Sequence, residues 1–330
     1  MPLTQDAISS LNKLLKGQPT INNHQINKQR LLQEISSYVH VNASESEVVQ
    51  QNLIYQINKL VHKNDVSLNR QKCENNYSNI VNSKLESGVI NFSRDVNIIN
   101  ILIQLSLLNT INDKPVFIFK EKSQSLIEKD VETLLESSSF KGSISELESA
   151  QALSILCFFL LNVDISDKHK ITSIISTIIS KFPPDDWFSS TTVIYGLSFL
   201  LRSLIFLCSH SSDEQLIEYL KVVCGSMLKR MEIKREIMLC SEAYNKNMSF
   251  LLLEQLRFNI ALFEISELFD DLRFLNAGMK ANDRLYYSVS KMKISSKKTI
   301  DNINNISIAL HYNKAINMQE KQFGSLICQI

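Results

Sequence analysis

Apolar residues recur at helical spacing along much of the chain, most clearly from Leu262 to Ser288, LFEISELFDDLRFLNAGMKANDRLYYS. There one helical pattern stops at Asp270-Asp271 and a second begins at once, carrying Leu272, Phe274, Leu275, Ala277, Met279, Leu285 and Tyr286. The pattern predicts two antiparallel helices joined by a tight turn. Similar pairs occur upstream: Glu146–Leu161 with Asp167–Phe182, and Ser190–Cys208 with Ser212–Arg230, ahead of Ser249–Leu268 with Asp270–Ser288. In each pair a strongly apolar helix precedes a more amphipathic one that opens on Asp or Ser, residues whose side-chain oxygens accept from the free N–H groups of a first helical turn. Such pairs read as helical hairpins repeated with insertions.

Three zones follow. Residues 1–140 are a polar, Asn-rich helical region, with amphipathic helices predicted near 4–16, 24–40, 45–63, 95–110 and 123–138. An isolated extended piece is expected at 114–119, KPVFIF. Residues 141–289 form the helical-hairpin core, and residues 290–330 read as a C-terminal tail or arm, first basic and then Asn-rich.

Composition supports helices over strands. The 330 residues include only 7 Gly and 5 Pro, too few turn residues for a protein of many short strands. The chain balances 35 basic against 34 acidic residues, so no global field draws it to nucleic acid or to an acidic membrane. Ala152–Leu161 is too short to span a bilayer, and Val193–Cys208 carries Arg202 in its middle. Both read as buried helices. The first residues, MPLTQDAISS, lack a basic stretch followed by an apolar core, so no secretory signal is expected. The six cysteines show no C-x-x-C spacing, and Cys157 and Cys208 lie in apolar runs, as reduced core thiols of a cytoplasmic protein would.

Candidate chemistry is sparse. The histidines have no metal-ligand spacing, and no phosphate loop or nucleophile elbow is present, so no cofactor is expected. Asp185-Asp186 and Asp270-Asp271 lack the further carboxylate that a magnesium-diphosphate motif needs, and helix capping explains them better. The basic cluster Lys291, Lys293, Lys297 and Lys298 reads as a solvated linker. Polar residues within the apolar helices carry more information, because burying them costs free energy unless they find partners. Glu254, Arg257, Ala261 and Glu264 share one stripe, and Tyr195, Ser198 and Arg202 share another. If the stripes face a common cavity, Glu254 and Glu264 are the candidate catalytic carboxylates, with Arg202, Arg257 and Tyr195 as ligand-binding groups. Otherwise Glu254 and Arg257 form an i,i+3 pair, and Arg202 bridges to a carboxylate of a neighbouring helix.

The last helix pair resembles the outer-helix pattern of the α/α-toroid proteins, the six-hairpin glycosidase-like group. Asp270 and Asp271 stand at the acidic turn, Phe274 and Leu275 at the aromatic-Leu pair, Ala277 at the small residue and Asp283 at the late Asp. The resemblance implies hairpins closed into a ring. The fold expected is therefore all-α, an α/α toroid or a curved helical-repeat array. The function expected is a non-catalytic binding or accessory protein whose partner is a protein or small-molecule ligand, with neither nucleic acid nor membrane. The alternative is a toroid enzyme acting on a glycan or related small molecule.

Overall fold

The computed structural model describes residues 21–42, 197–210, 214–233, 248–295 and 300–327, and singly 176 and 184. Six helices account for nearly all of them, and no strand occurs among the described residues. We number them α1 (Ile21–Asn42), α2 (Leu197–His210), α3 (Glu214–Ile233), α4 (Met248–Phe269), α5 (Leu272–Ser290) and α6 (Ile300–Ile327). The chain is all-α in this part. Helix α1 coincides with the element expected near 24–40, and α2 to α5 fall where the second and third helix pairs were predicted. The first pair, the remaining N-terminal helices and the extended piece at 114–119 lie outside the described residues.

Helix α4 is the hub. It packs against α2, α5 and α6, and every residue from Leu252 to Ser266 is buried. A helix apolar on nearly all sides can be stable only when surrounded. Leu252, Leu253 and Leu256 join Leu31 and Ile35 of α1, Leu285 and Val289 of α5, and Ile306, Leu310 and Tyr312 of α6 in one cluster. A second cluster holds Ile260 and Phe263 against Leu275, Met279, Ala315 and Phe323.

The reversal from α4 to α5 is built from two aspartates with different jobs. Asp270 takes a positive φ of 51°, and the Asp271 amide reaches back to the Ser266 carbonyl at 3.2 Å. This is the left-handed C-terminal stop of a helix, normally given to Gly or Asn. Asp271 is then the N-cap of α5, its carboxylate accepting from the Arg273 amide at 2.9 Å. Beyond the turn Gly278 lies against Phe263 and Asn282 bonds Asn259 at 2.9 Å, so α5 runs back along α4.

Residues 300–327, expected as part of a tail, form a helix whose residues from Ile306 to Asn313 are all buried. Its pattern was hard to read because Asn, Ser and His interrupt the apolar positions. Asn302 explains part of this: its amide accepts from the Ser295 amide at 2.9 Å and donates to the Ser295 carbonyl at 2.7 Å, fixing the entry to α6. Helix α1 closes over the same region. Arg30 donates to the carbonyl of Ser290, the last residue of α5, and to that of Met292 just beyond it, and Glu34 accepts from the Ile294 amide. Among the described residues no helix is long and apolar enough to cross a membrane.

Candidate functional site

The two polar stripes of the apolar helices meet in the interior as ion pairs. Arg202 of α2 grips Glu264 of α4 through two nitrogens, Nε at 2.8 Å from one oxygen and Nη2 on the other. Arg257 Nη1 donates to Glu254 Oε2 at 2.7 Å, one turn apart on α4, both side chains 1% exposed. The other Glu254 oxygen accepts from the Ser198 amide at 3.2 Å, in the first turn of α2. All four oxygens of Glu254 and Glu264 are thus engaged. Tyr195 lies outside the described residues.

Helix α6 adds two titratable groups to this cluster. His311 is fully buried, and its Nδ1 donates to the Ser307 carbonyl at 2.8 Å, which leaves Nε2 as the acceptor of a neutral ring. Burial first, then the nearby positive charges of Arg257, Arg202 and Lys314, hold its pKa well below the ordinary histidine range. Lys314 keeps partial surface exposure along the residue as a whole, yet its amine is deep enough that burial, reinforced by Arg202, pulls it down to about 7, with Glu264 opposing. Burial likewise lowers Arg257, against the raising effect of Glu254. Among the described residues, the buried polar atoms with no hydrogen-bond partner include Ser198 Oγ, Arg202 Nη1, Ser307 Oγ and His311 Nε2.

Two further polar arrays escaped the sequence reading. A chain of amides runs Gln255 to Asn259 to Asn282 to Gln319, with links of 2.9, 2.9 and 2.8 Å crossing α4, α5 and α6. On the α1 side, His24 Nδ1 meets the Tyr312 hydroxyl at 2.5 Å, and Nε2 meets Asp283 Oδ1 at 2.8 Å. Tyr286 packs edge-on against the His24 ring, and burial raises the Tyr312 hydroxyl above the ordinary tyrosine range. His24 and Tyr312 are separated by 288 residues, a distance at which spacing carries no signal. The visible hint was a polar residue on an otherwise apolar face, and Asn282 alone offered it clearly.

Among the described residues no group of three or more His, Cys, Asp or Glu is placed to hold a metal ion. Cys208 and Cys224 are buried thiols, and burial, with Cys208 adding to it, pushes the Cys224 thiol far above the usual range. Neither is poised as a nucleophile. Cys157 lies outside the described residues. No protein-family model, curated protein or solved structure matches this chain.

Proposed function

We propose that this chain is a non-catalytic helical binding or accessory protein, built of antiparallel hairpins in an α/α toroid or a curved helical-repeat array, with a concave surface for a protein or small-molecule partner. The reversal at Asp270-Asp271 and the return of α5 along α4 support the hairpin unit. One observation carries the functional half: Glu254 and Glu264, the carboxylates a hydrolase would need, have every oxygen bound to an arginine or to a helix amide. A general acid or base must be able to reach a substrate proton. Carboxylates held this way orient helices.

The rival reading, a toroid enzyme on a glycan or related small molecule, draws on the buried polar atoms without partners, Arg202 Nη1 and His311 Nε2. In that reading Arg202, Arg257 and Tyr195 bind the ligand and the glutamates react. Screening the full chain against a panel of oligosaccharides separates the two. No hydrolysis is expected. Turnover that disappears in a folded Glu254→Gln or Glu264→Gln protein would put the enzyme reading first.

A further inference from the structure

Helix α6 is seated against α4 by the stretch Ile306 to Asn313, in which every residue is buried. Ile306, Ile308, Leu310 and Tyr312 of that stretch pack with Leu252, Leu253 and Leu256 of α4 in one apolar cluster. His311 lies among them with 0% exposure. A ring so placed is tolerated as the neutral base, and as the cation only if an acceptor takes its second N–H. Its Nδ1 already donates to the Ser307 carbonyl at 2.8 Å, and its Nε2 has no hydrogen-bond partner. A second ring proton therefore has nowhere to go while α6 stays seated.

The charges around the ring oppose that proton as well. Arg257 of α4, Arg202 of α2 and Lys314, one turn along α6, all act on His311 with positive sign. The carboxylates of the same cluster, Glu254 and Glu264 of α4, are taken up by Arg257, the Ser198 amide and Arg202. Helices α1 and α5 bring His24, Lys28 and Asp283 towards α6 at Tyr312, Asn317 and Glu320. Tyr312 is the residue next to His311, so α1 rests on the part of α6 that the ring holds down.

We propose that α6 is an acid-sensitive latch: protonating His311 is incompatible with its seat against α4, so in mild acid α6 comes away, loosens α1 and uncovers Leu252, Leu253 and Leu256. Opening takes up one proton. An open form whose ring titrates at the ordinary histidine value of about 6.5 gains about tenfold on the closed form for each pH unit below it. A helix lifted off its support is marginal in water, so the α6 amides exchange from the open form. The latch is independent of whether the chain binds a partner or acts on a glycan.

The test is hydrogen–deuterium exchange of the full chain, read by mass spectrometry at about pH 7.5 and about pH 5.5 with the intrinsic exchange rates divided out. Peptides covering Ile306–Asn313 should lose about tenfold in protection at the lower pH, while those of α3, which packs on α2 and α5, should keep theirs. His311→Gln and His311→Phe, checked for folding by thermal melts, should lose this acid step. Nitrogen NMR of the labelled imidazoles should show the His311 ring of the closed parent neutral and protonated on Nδ1 at both pH values. No acid step in the parent, a step shared equally by α3, or a step that survives in a folded His311 variant overturns the proposal. If neither variant folds, the ring decides: a His311 that titrates at about 6.5 while α6 stays protected overturns the latch, and one that stays neutral until α6 opens upholds it.

Discussion

Helices α4 and α5 are adjacent in the chain, separated only by Asp270 and Asp271, and they handle polar residues in opposite ways. On α5 the polar groups Arg273, Lys280 and Arg284 are exposed, while the other face is buried. On α4 no solvent-facing side exists between Leu252 and Ser266, yet Glu254, Gln255, Arg257, Asn259 and Glu264 all lie within that stretch. Each has a partner from its own helix or a neighbour. A buried ion pair adds little net stability compared with apolar packing, but breaking it is expensive, so such pairs select one arrangement of helices over others. The same residue types therefore serve as solvated surface on one helix and as alignment keys on the next.

The sharpest break in that comparison is Arg257→Ala. Removing it leaves the Glu254 carboxylate buried, and a loss of about 3–5 kcal/mol is expected in the free energy of unfolding. Glu264→Gln should cost similarly by stranding Arg202. Arg284→Ala on the exposed face of α5 should stay within about 0.5 kcal/mol. Chemical denaturation of the three proteins measures all of this. An Arg257→Ala protein as stable as the parent would mean that the α4 charges face a wet cavity.

The second effect is a pH dependence set by α6. Because Lys314 titrates near 7 in the folded chain and near 10.5 unfolded, the unfolded state binds more protons between those values, and stability falls as pH drops from about 10 to 7. His311 continues the trend: its folded pKa is depressed, so below about 6.5 the unfolded chain takes up a proton that the native ring refuses. Lys314→Met should flatten the upper limb, giving a larger melting-temperature difference from the parent at pH 6 than at pH 10. Equal differences at both would show that the amine is solvated.

How much of this was readable in the sequence varies by helix, for physical reasons. Helix α5 was legible because one face meets water, so apolar and polar positions separate at helical spacing. Helix α4 was legible as buried, and the pairing of Glu254 with Arg257 followed from their i,i+3 spacing. The partner of Arg202 was anticipated only as some carboxylate of a neighbouring helix; that it is Glu264 depends on how α2 lies against α4. Helix α6 was hidden, since Asn302, His311 and Asn313 look solvated until the backbone and the charged groups near them are in place. The Tyr312–His24–Asp283 chain depends on packing between distant segments, which one-dimensional spacing does not encode.

Gly278 tests how closely α4 and α5 approach. An added Cβ would sit 2.9 Å from the Phe263 ring, and that ring is fully buried. Overpacking of this kind costs about 1–3 kcal/mol, offset by about 1 kcal/mol of helix propensity gained by Ala over Gly. Gly278→Ala should therefore be mildly destabilising, and adding Phe263→Leu should relieve the clash, giving a positive coupling in a double-mutant cycle. Simple additivity would show that the ring moves aside freely.

The smallest effects belong to the turn that separates the two helices. Asp271→Ala removes the acceptor for the Arg273 amide and should cost about 1 kcal/mol, whereas Asp271→Asn keeps an acceptor there and should cost less. The carboxylate's contacts with the Arg273 side chain add little, since Arg273 is 78% exposed. Hydrogen bonding from Arg273 holds the Asp271 carboxyl below its usual value, so its contribution is present above about pH 3.8 and fades as pH falls through the folded value. Unfolding curves at pH 7 and pH 3 should show the Asp271→Ala penalty shrinking toward the lower pH, and a penalty that does not shrink would assign the cap to the backbone reversal at Asp270 and not to the carboxylate. Asp270→Gly completes the test: at φ 51° Gly avoids the steric cost of a side chain in the left-handed region, so this change should leave stability equal to or slightly above that of the parent, even as Asp271→Ala lowers it.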